Sequence, residues 1–459
     1  MQDAITQPPD FPPAFKISDH RAILFVLIAG LYIRLMLASF PGFPDTNDFV
    51  TMVRFTHTAG LSSITNWSAG SITNFGGSQI PQYPPGFIYQ ASAASEAVHL
   101  LTRHKPAENQ MAITPRERLG VRIGPMGCDL LIAVLLYLTV SRAFSRTSAV
   151  WAASLYLLNP GVIANSALWN FDAVPSFLML LSLLLCALAF ERANYAWLSL
   201  GMAFCAIAVS TKLQAVMFIP VVGAFVLLTK RIRVAAVTTF VFCLVSLLFY
   251  VPFLIEGNLE YLRRVFFASF EYGQVTQLNA YNVWALWFQI PNTTRVLGVS
   301  LGNIGRIAYL ASAAYAIHAL WTRRPAQEPR QGITRRFAIF GAYLSIAPFM
   351  LLTQMHERYI ATAIPLAVLA GFLDRRLMVV AIGFSLTYAL NLLAVGVHYW
   401  QPWDLSETSQ YFEPVRLLFI VNRVFCSLLN VGLLIWLTAR LRNLLATPPV
   451  SAQPSASRL

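Results

Sequence analysis

The chain has 459 residues, 57% of them hydrophobic and 12% charged, with 33 Lys and Arg against 20 Asp and Glu for a formal charge of +13. Average soluble domains hold roughly 45–50% apolar and about 25% charged residues, so composition excludes a soluble enzyme, a disordered chain and a nucleic-acid-binding domain. The apolar residues come in blocks such as 177–190 and 337–352, and the sequence reads as an all-α polytopic membrane protein.

In chain order, residues 1–21 are polar and proline-rich, lack the basic start of a cleavable signal, and read as a disordered cytosolic leader. A bilayer core about 30 Å thick takes about 20 apolar residues per helix. Such stretches lie near 22–40, 119–140, 148–162, 173–190, 195–211, 213–228, 234–254, 302–321, 337–353, 360–372, 378–397 and 417–437. They predict about twelve spans, eleven to thirteen, in a single transmembrane domain over 22–440, with 441–459 as a disordered cytosolic tail.

Arg142, Arg146, Arg192, Lys230, Arg231, Arg233, Arg335, Arg336, Arg375 and Arg376 fall in or beside short loops on one side. The positive-inside rule makes that side cytosolic, with both termini there, in a cell (inner) membrane. The basic charge is thus a topology signal, and no nucleic-acid partner is expected. The extracytoplasmic side receives three long loops, 41–118, 255–300 and 398–416, with a short interfacial helix expected over 51–60. Long loops on a rigid scaffold are where binding and catalytic residues concentrate. The five cysteines, Cys128, Cys186, Cys205, Cys243 and Cys426, sit in apolar segments without metal-binding spacing and read as small core residues.

Charges at membrane depth face a cavity or a partner. Arg34 in the first span and Asp129 in the second are expected to pair. Lys212, at the outer end between the fifth and sixth spans, either snorkels to the interface or holds an anionic group. Asp45 and Asp48, in FPDTNDFV, either form a turn with Asp48 capping a helix that begins at Phe49, or present a carboxylate able to take a proton from a hydroxyl. Asp172, in LWNFDAVPSF, stands where a helix N-cap is expected. His356, Glu357 and Arg358, in TQMHERYI, precede an inward-running helix. They form either an anion site of two basic side chains and a helix N-terminus, or an interfacial anchor with Glu357 paired to Arg358.

At these residues the chain resembles the GT-C superfamily of glycosyltransferases, multi-spanning enzymes that take sugars from polyprenyl-phosphate carriers. PDTNDF (44–49) resembles the family's acidic D-x-x-x-F/Y signature after the first span, and YPPGFIY (83–89) resembles its Y-P-P element. Asp129 is similar to the recurring D-L-L of the second span. LLNPGVIANSALWNFDAVPSF (157–177) resembles the N-P…G-Q-x-D-A stretch, with Asn170–Phe171 where Gly-Gln is usual. TKLQAVMFIP (211–220) looks like K-P-Q with Leu213 replacing the proline. NAYNVWAL (279–286) and MHERYIATAIPL (355–366) resemble late outer motifs of bacterial members. The nearest branches are mannosyltransferase-like proteins of the PIG-V type and the glucosyltransferases of lipid-linked oligosaccharide assembly.

The resemblance implies transfer of a mannose- or glucose-like hexose from a polyprenyl-phosphate donor to a glycan, lipid or protein acceptor on the extracytoplasmic face. It implies inversion, no metal and no other cofactor. Carried onto this sequence, it implies Asp45 as general base with Asp48 as its substitute. His356, Arg358 and Lys212 would neutralise the lipid phosphate. Tyr83, Asp172, Asn279, Tyr281, Trp284 and Glu357 would contact substrate, with Trp67 and Trp287 as further stacking surfaces. Two other classes share the spans and the outer sites. An O-antigen ligase or polymerase would use a lipid diphosphate and paired arginines such as Arg263–Arg264. A flippase or transporter of lipid-linked sugars would call for polar residues at the bilayer midplane and internal repeats.

Overall fold

Apolar runs closed by caps and prolines make this a chain of helices. The structure, a computed structural model, describes residues 21–42, 44–60, 83–102, 113–257, 259–267, 275–286, 290–322, 330–399 and 409–446. Trp67 and Trp287 lie outside these residues. Helix α1 (Arg21–Ala38) is followed by α2 (Pro44–Ala59) and α3 (Pro85–Thr102), both in the first long loop. Next comes α4 (Pro115–Ala143), which opens with a capping box. The Thr114 hydroxyl accepts from the Glu117 amide and the Glu117 carboxylate accepts from the Thr114 amide. Then follow α5 (Arg146–Leu157), α6 (Pro160–Ala164), α7 (Ala173–Glu191), α8 (Ala196–Thr211), α9 (Ile219–Leu228) and α10 (Ile232–Ile255). The rest comprises α11 (Leu259–Phe267), α12 (Leu301–Thr322), α13 (Arg330–Leu351), α14 (Ile364–Leu373), α15 (Met378–Tyr399) and α16 (Ser409–Ala446).

Among the described residues, six stretches are long and apolar enough to cross a membrane: 21–38, 115–143, 173–191, 232–255, 375–396 and 420–446. By this measure the expected count of about twelve is met for six. Several others are broken. The third expected span ends at Leu157 and restarts at Pro160, with a π-helical turn over Asn165–Trp169. The sixth begins as a 3-10 helix, Leu213–Phe218, and the tenth as another, Glu357–Thr362. Proline stands in the first turn of each helix that follows, at Pro160, Pro220 and Pro365, where its missing N–H leaves no bond unmade. Non-helical backbone near a membrane is tolerated where protein buries it or a cavity receives it. All three breaks meet at one place, described below.

The fold is also not purely helical. Strand β1 (Gln277–Leu278) pairs in parallel with β4 (Met355–His356), and β2 (Arg295–Val296) forms a tight antiparallel pair with β3 (Val299–Ser300). An isolated bridge from Asn279 to His356 extends the first ladder. The second long loop is thereby tied to the segment carrying His356, Glu357 and Arg358.

The main core runs between α4, α5, α7, α8, α13, α14 and α15 and includes Leu136, Tyr156, Leu183, Phe225 and Phe337. The expected Arg34–Asp129 pair lies inside it, with Arg34 Nη2 3.0 Å from Asp129 Oδ2. Every remaining demand of the pair is met by neighbours. Tyr156 Oη donates to Asp129 at 2.6 Å, and Arg34 donates to Ser166 Oγ and to the carbonyls of Gly30 and Leu157. Losing one partner of such a buried pair costs about 3–5 kcal/mol, so this network fixes α1 against α4 and α5. A second, smaller core joins α2, α3, α10 and α11 and contains Phe49, Phe87, Phe171, Phe253 and Tyr261.

Candidate active site

Asp45 lies in the first turn of α2, one turn before Phe49, so both side chains take the same face of the helix. Phe49 is buried in a box of four rings. Its centroid is 4.8 Å from Phe87 and 5.6 Å from both Tyr83 and Phe171, while Phe87 and Phe171 stack at 3.9 Å. This box is what the D-x-x-x-F spacing builds. Phe171, at the position of a departure from the family pattern, is one of its walls.

The Asp45 carboxylate stays about one-third exposed and meets two partners. Arg358 Nη2 lies 3.2 Å from Asp45 Oδ2, and the Asn170 amide donates to the same oxygen at 3.3 Å. Arg358 also donates to Glu357 at 2.9 Å. Burial alone would lower the Arg358 pKa, but Asp45 and Glu357 outweigh it and keep the guanidinium charged. Burial would likewise raise the Glu357 carboxyl, yet Arg358 and His356 hold it down at about 2. His356 goes the other way. Burial and the neighbouring Arg358 push its pKa below the usual histidine range. Of the two basic side chains expected here, only Arg358 therefore brings a positive charge at neutral pH.

Lys212 supplies the second. It ends α8 and is buried, and its ammonium pairs with Asp172 while lying 5.0 Å from the Phe171 ring and 5.1 Å from the Tyr359 ring. It does not snorkel. Asp172 does not cap α7 with its side chain either; the carboxylate turns to Lys212 instead. The π turn at 165–169 explains the placement, because it delivers Asn170 to Asp45 and Asp172 to Lys212 from adjacent residues. Such turns often occur at functional sites.

Asp48 needs a different correction. The helix starts at Pro44, five residues earlier than expected, so Asp48 is no cap of a helix at Phe49. Burial, then the charge of Asp45, raises its pKa to about 6 from 3.8. A carboxyl with a raised folded-state pKa favours folding when protonated, fully below about pH 4, and that contribution fades as pH rises through about 6. Asp48→Asn is therefore expected to raise the thermal midpoint at pH 7.5 and to leave it unchanged at pH 4, as read by differential scanning fluorimetry at the two pH values.

The loop before Asp45 is held by a residue that motif reading missed. Arg122 on α4 is buried and donates to the carbonyls of Ala38 and Phe40 at 2.9 Å and Pro41 at 3.1 Å, and to Thr46 Oγ1 at 3.3 Å. The signal was present, since Arg122 stands two helical turns before Asp129 on the same face of an otherwise apolar span. Gly42 completes the joint. Its φ is +75°, and a Cβ there would lie 2.6 Å from the Leu168 carbonyl oxygen and 1.9 Å from an Arg122 nitrogen. Gly42→Ala is expected to cost about 1–3 kcal/mol through backbone strain and to displace Asp45, seen as a lower thermal midpoint and lower activity together.

The remaining expected substrate contacts are placed differently. Tyr83 joins the aromatic box and its carbonyl accepts from Tyr261 at 2.7 Å. Asn279 adopts a left-handed φ of 65° and bridges to His356. Tyr281 is fully buried, its hydroxyl and carbonyl accepting from Asn422 at 3.2 Å and Asn430 at 2.8 Å. The Trp284 indole donates to the Leu351 carbonyl at 2.8 Å. The structure thus joins Asp45, Asp172, Lys212, Glu357 and Arg358 in one charged cluster bordered by Tyr83. It engages Tyr281 and Trp284 in packing against α16 and α13.

Residues 108–255 match the family described as dolichyl-phosphate-mannose-protein mannosyltransferase. No curated protein matches the chain. Among solved structures, the chain is similar to the oligosaccharyltransferase AglB of Archaeoglobus fulgidus in complex with an inhibitory peptide and a dolichol-phosphate. That likeness has 14% identity and a TM-score of 0.44, over 95% of this chain and 57% of that one. The apo form of the Archaeoglobus fulgidus enzyme gives 13% identity and a TM-score of 0.42, over 94% of this chain and 56% of that one. The chain thus spans a little over half the length of these structures. Over residues 108–255, about a third of the chain and the stretch that holds Arg122, Asp129, Asp172 and Lys212, the chain is similar to the dolichyl-phosphate-mannose-protein mannosyltransferases.

Proposed function

We propose that this protein is an integral-membrane glycosyltransferase. It transfers a hexose from a polyprenyl-phosphate carrier to an acceptor hydroxyl on the extracytoplasmic face, with inversion and with Asp45 as general base. The observation that carries this reading is the Asp45–Arg358 contact at the start of α2, beside the buried Lys212–Asp172 pair. A lipid phosphate entering there competes with Asp45 for the guanidinium, because the phosphodiester accepts bidentate hydrogen bonds from arginine. Once Arg358 turns to the phosphate, the Asp45 carboxylate is released from its cationic partner and is free to receive the acceptor's proton. The acceptor oxygen then bonds to the anomeric carbon, its proton passes to Asp45, and the carbon–oxygen bond to the phosphate breaks. The polyprenyl phosphate leaves with its new charge facing Arg358 and Lys212. The matched family's name, with its dolichyl-phosphate-mannose donor, favours mannose among the hexoses.

The test is transfer by the purified protein in liposomes, supplied with a panel of synthetic polyprenyl-phosphate and polyprenyl-diphosphate sugars and with membrane extracts as acceptor. Transfer from a monophosphate donor is expected, with mannose first. Transfer from the diphosphates alone would point to a ligase or polymerase, and movement of intact donor across the bilayer without transfer would point to a flippase.

A further inference from the structure

At the far end of α2 from Asp45, three side chains with metal-binding donors converge. His57 lies in the last turn of α2, and Glu96 and His99 lie three residues apart on one face of α3. Glu96 Oε2 is 3.7 Å from His57 Nδ1 and 4.0 Å from His99 Nδ1, and all three donor atoms lie within 4.8 Å of one another. Neither of the first two separations is a hydrogen bond. Four ligands held about 2.0–2.1 Å from a tetrahedral zinc sit roughly 3.3 Å apart, so it takes shifts of about 0.4 and 0.7 Å to close the two Glu96 sides of this triangle and at most about 1.5 Å to close the third. His57 and Glu96 are 29% and 51% exposed, which leaves their side chains free to make them, while His99 is buried and rigidly placed. A small cavity of about 10 Å³ borders His57 and His99 and is also lined by Val50, Val53, Arg54 and Ser95.

We infer that His57, Glu96 and His99 form a site for a borderline divalent cation of the zinc class, with water in the fourth position. Two imidazoles and one carboxylate are a donor set such ions prefer, whereas magnesium and calcium call for oxygen alone. The site is separate from the charged cluster. Twelve residues along α2 at 1.5 Å each put it about 18 Å from Asp45. A bound ion would clamp the end of α2 to α3, the two helices of the first outer loop, and so brace the helix that presents Asp45.

The probe is cobalt, which reports its geometry by visible absorption, followed by displacement with zinc. Tag-free full-length protein in detergent, stripped with chelator, is expected to bind one equivalent with the absorption of a four- or five-coordinate site and to melt at a higher temperature when loaded. His57→Ala and Glu96→Gln should each weaken cobalt binding about tenfold or more. His318→Ala, on α12, should leave it unchanged. The metal-free thermal midpoint of each variant serves as the folding control, and neither exposed side chain contributes much packing. Absence of cobalt absorption in the wild type, or its retention in either ligand variant, overturns the site. Because these readouts are binding and stability, the outcome is independent of whether the protein transfers sugar.

Discussion

Asp45→Asn is expected to lower turnover by roughly 10²–10⁴-fold, the usual contribution of a positioned general base, while expression and donor binding survive. Asparagine keeps the size of the side chain and can still accept a hydrogen bond from Asn170, but it cannot take a proton from the acceptor. Asp48→Asn should retain turnover to within about tenfold of the wild type. The comparison has force because Asp48, with a pKa raised to about 6, is by acidity alone the better matched base near neutral pH. We favour Asp45 because its carboxylate contacts Arg358 and Asn170 at the junction of the broken helices. A dead Asp48→Asn beside a working Asp45→Asn would transfer the role to Asp48.

The second large effect concerns Arg358. A charge-assisted contact to phosphate contributes about 1.5–3 kcal/mol, so Arg358→Ala should weaken donor binding by roughly one to two decades and leave acceptor binding nearly unchanged. Arg358→Lys should recover part of the loss, since charge is kept and only the bidentate fork is lost. His356→Ala should have a smaller effect in the same direction, because burial and Arg358 keep the imidazole neutral. Equal donor affinity in Arg358→Ala and the wild type would make this arginine an anchor between Asp45 and Glu357. Fluorescence anisotropy with a labelled lipid-phosphate sugar separates these outcomes.

Much of this site was legible in the sequence, and the particular residues show why. The spacing from Asp45 to Phe49 marked a single helical face, and the structure uses it for the aromatic box. Arg34 and Asp129 announced each other because two opposite charges in apolar spans each need a partner. What failed were readings from local rules alone. Asp172 stood where a cap is common, but a buried lysine close in space draws a carboxylate more strongly than a backbone amide. For Lys212 local rules leave snorkelling and the holding of an anionic group equally open, and the 3-10 turn that follows folds it inward against Phe171 and Tyr359, paired with Asp172. Apolar stretches interrupted by Pro160, Pro220 and Pro365 look continuous to a hydropathy reading, and the interruptions are what bring Asn170, Asp172, Lys212 and Arg358 to Asp45.

The central claim is that the carboxylate of Asp45 and the cations at Arg358 and Lys212 act together on a lipid-phosphate sugar. Single-turnover transfer from an anomerically pure polyprenyl-phosphate mannose, with the product linkage assigned by NMR, tests it most directly. Product of the opposite anomeric configuration, formed by the wild type and lost in Asp45→Asn, is the expected result; product of retained configuration, or undiminished transfer by Asp45→Asn, would contradict it.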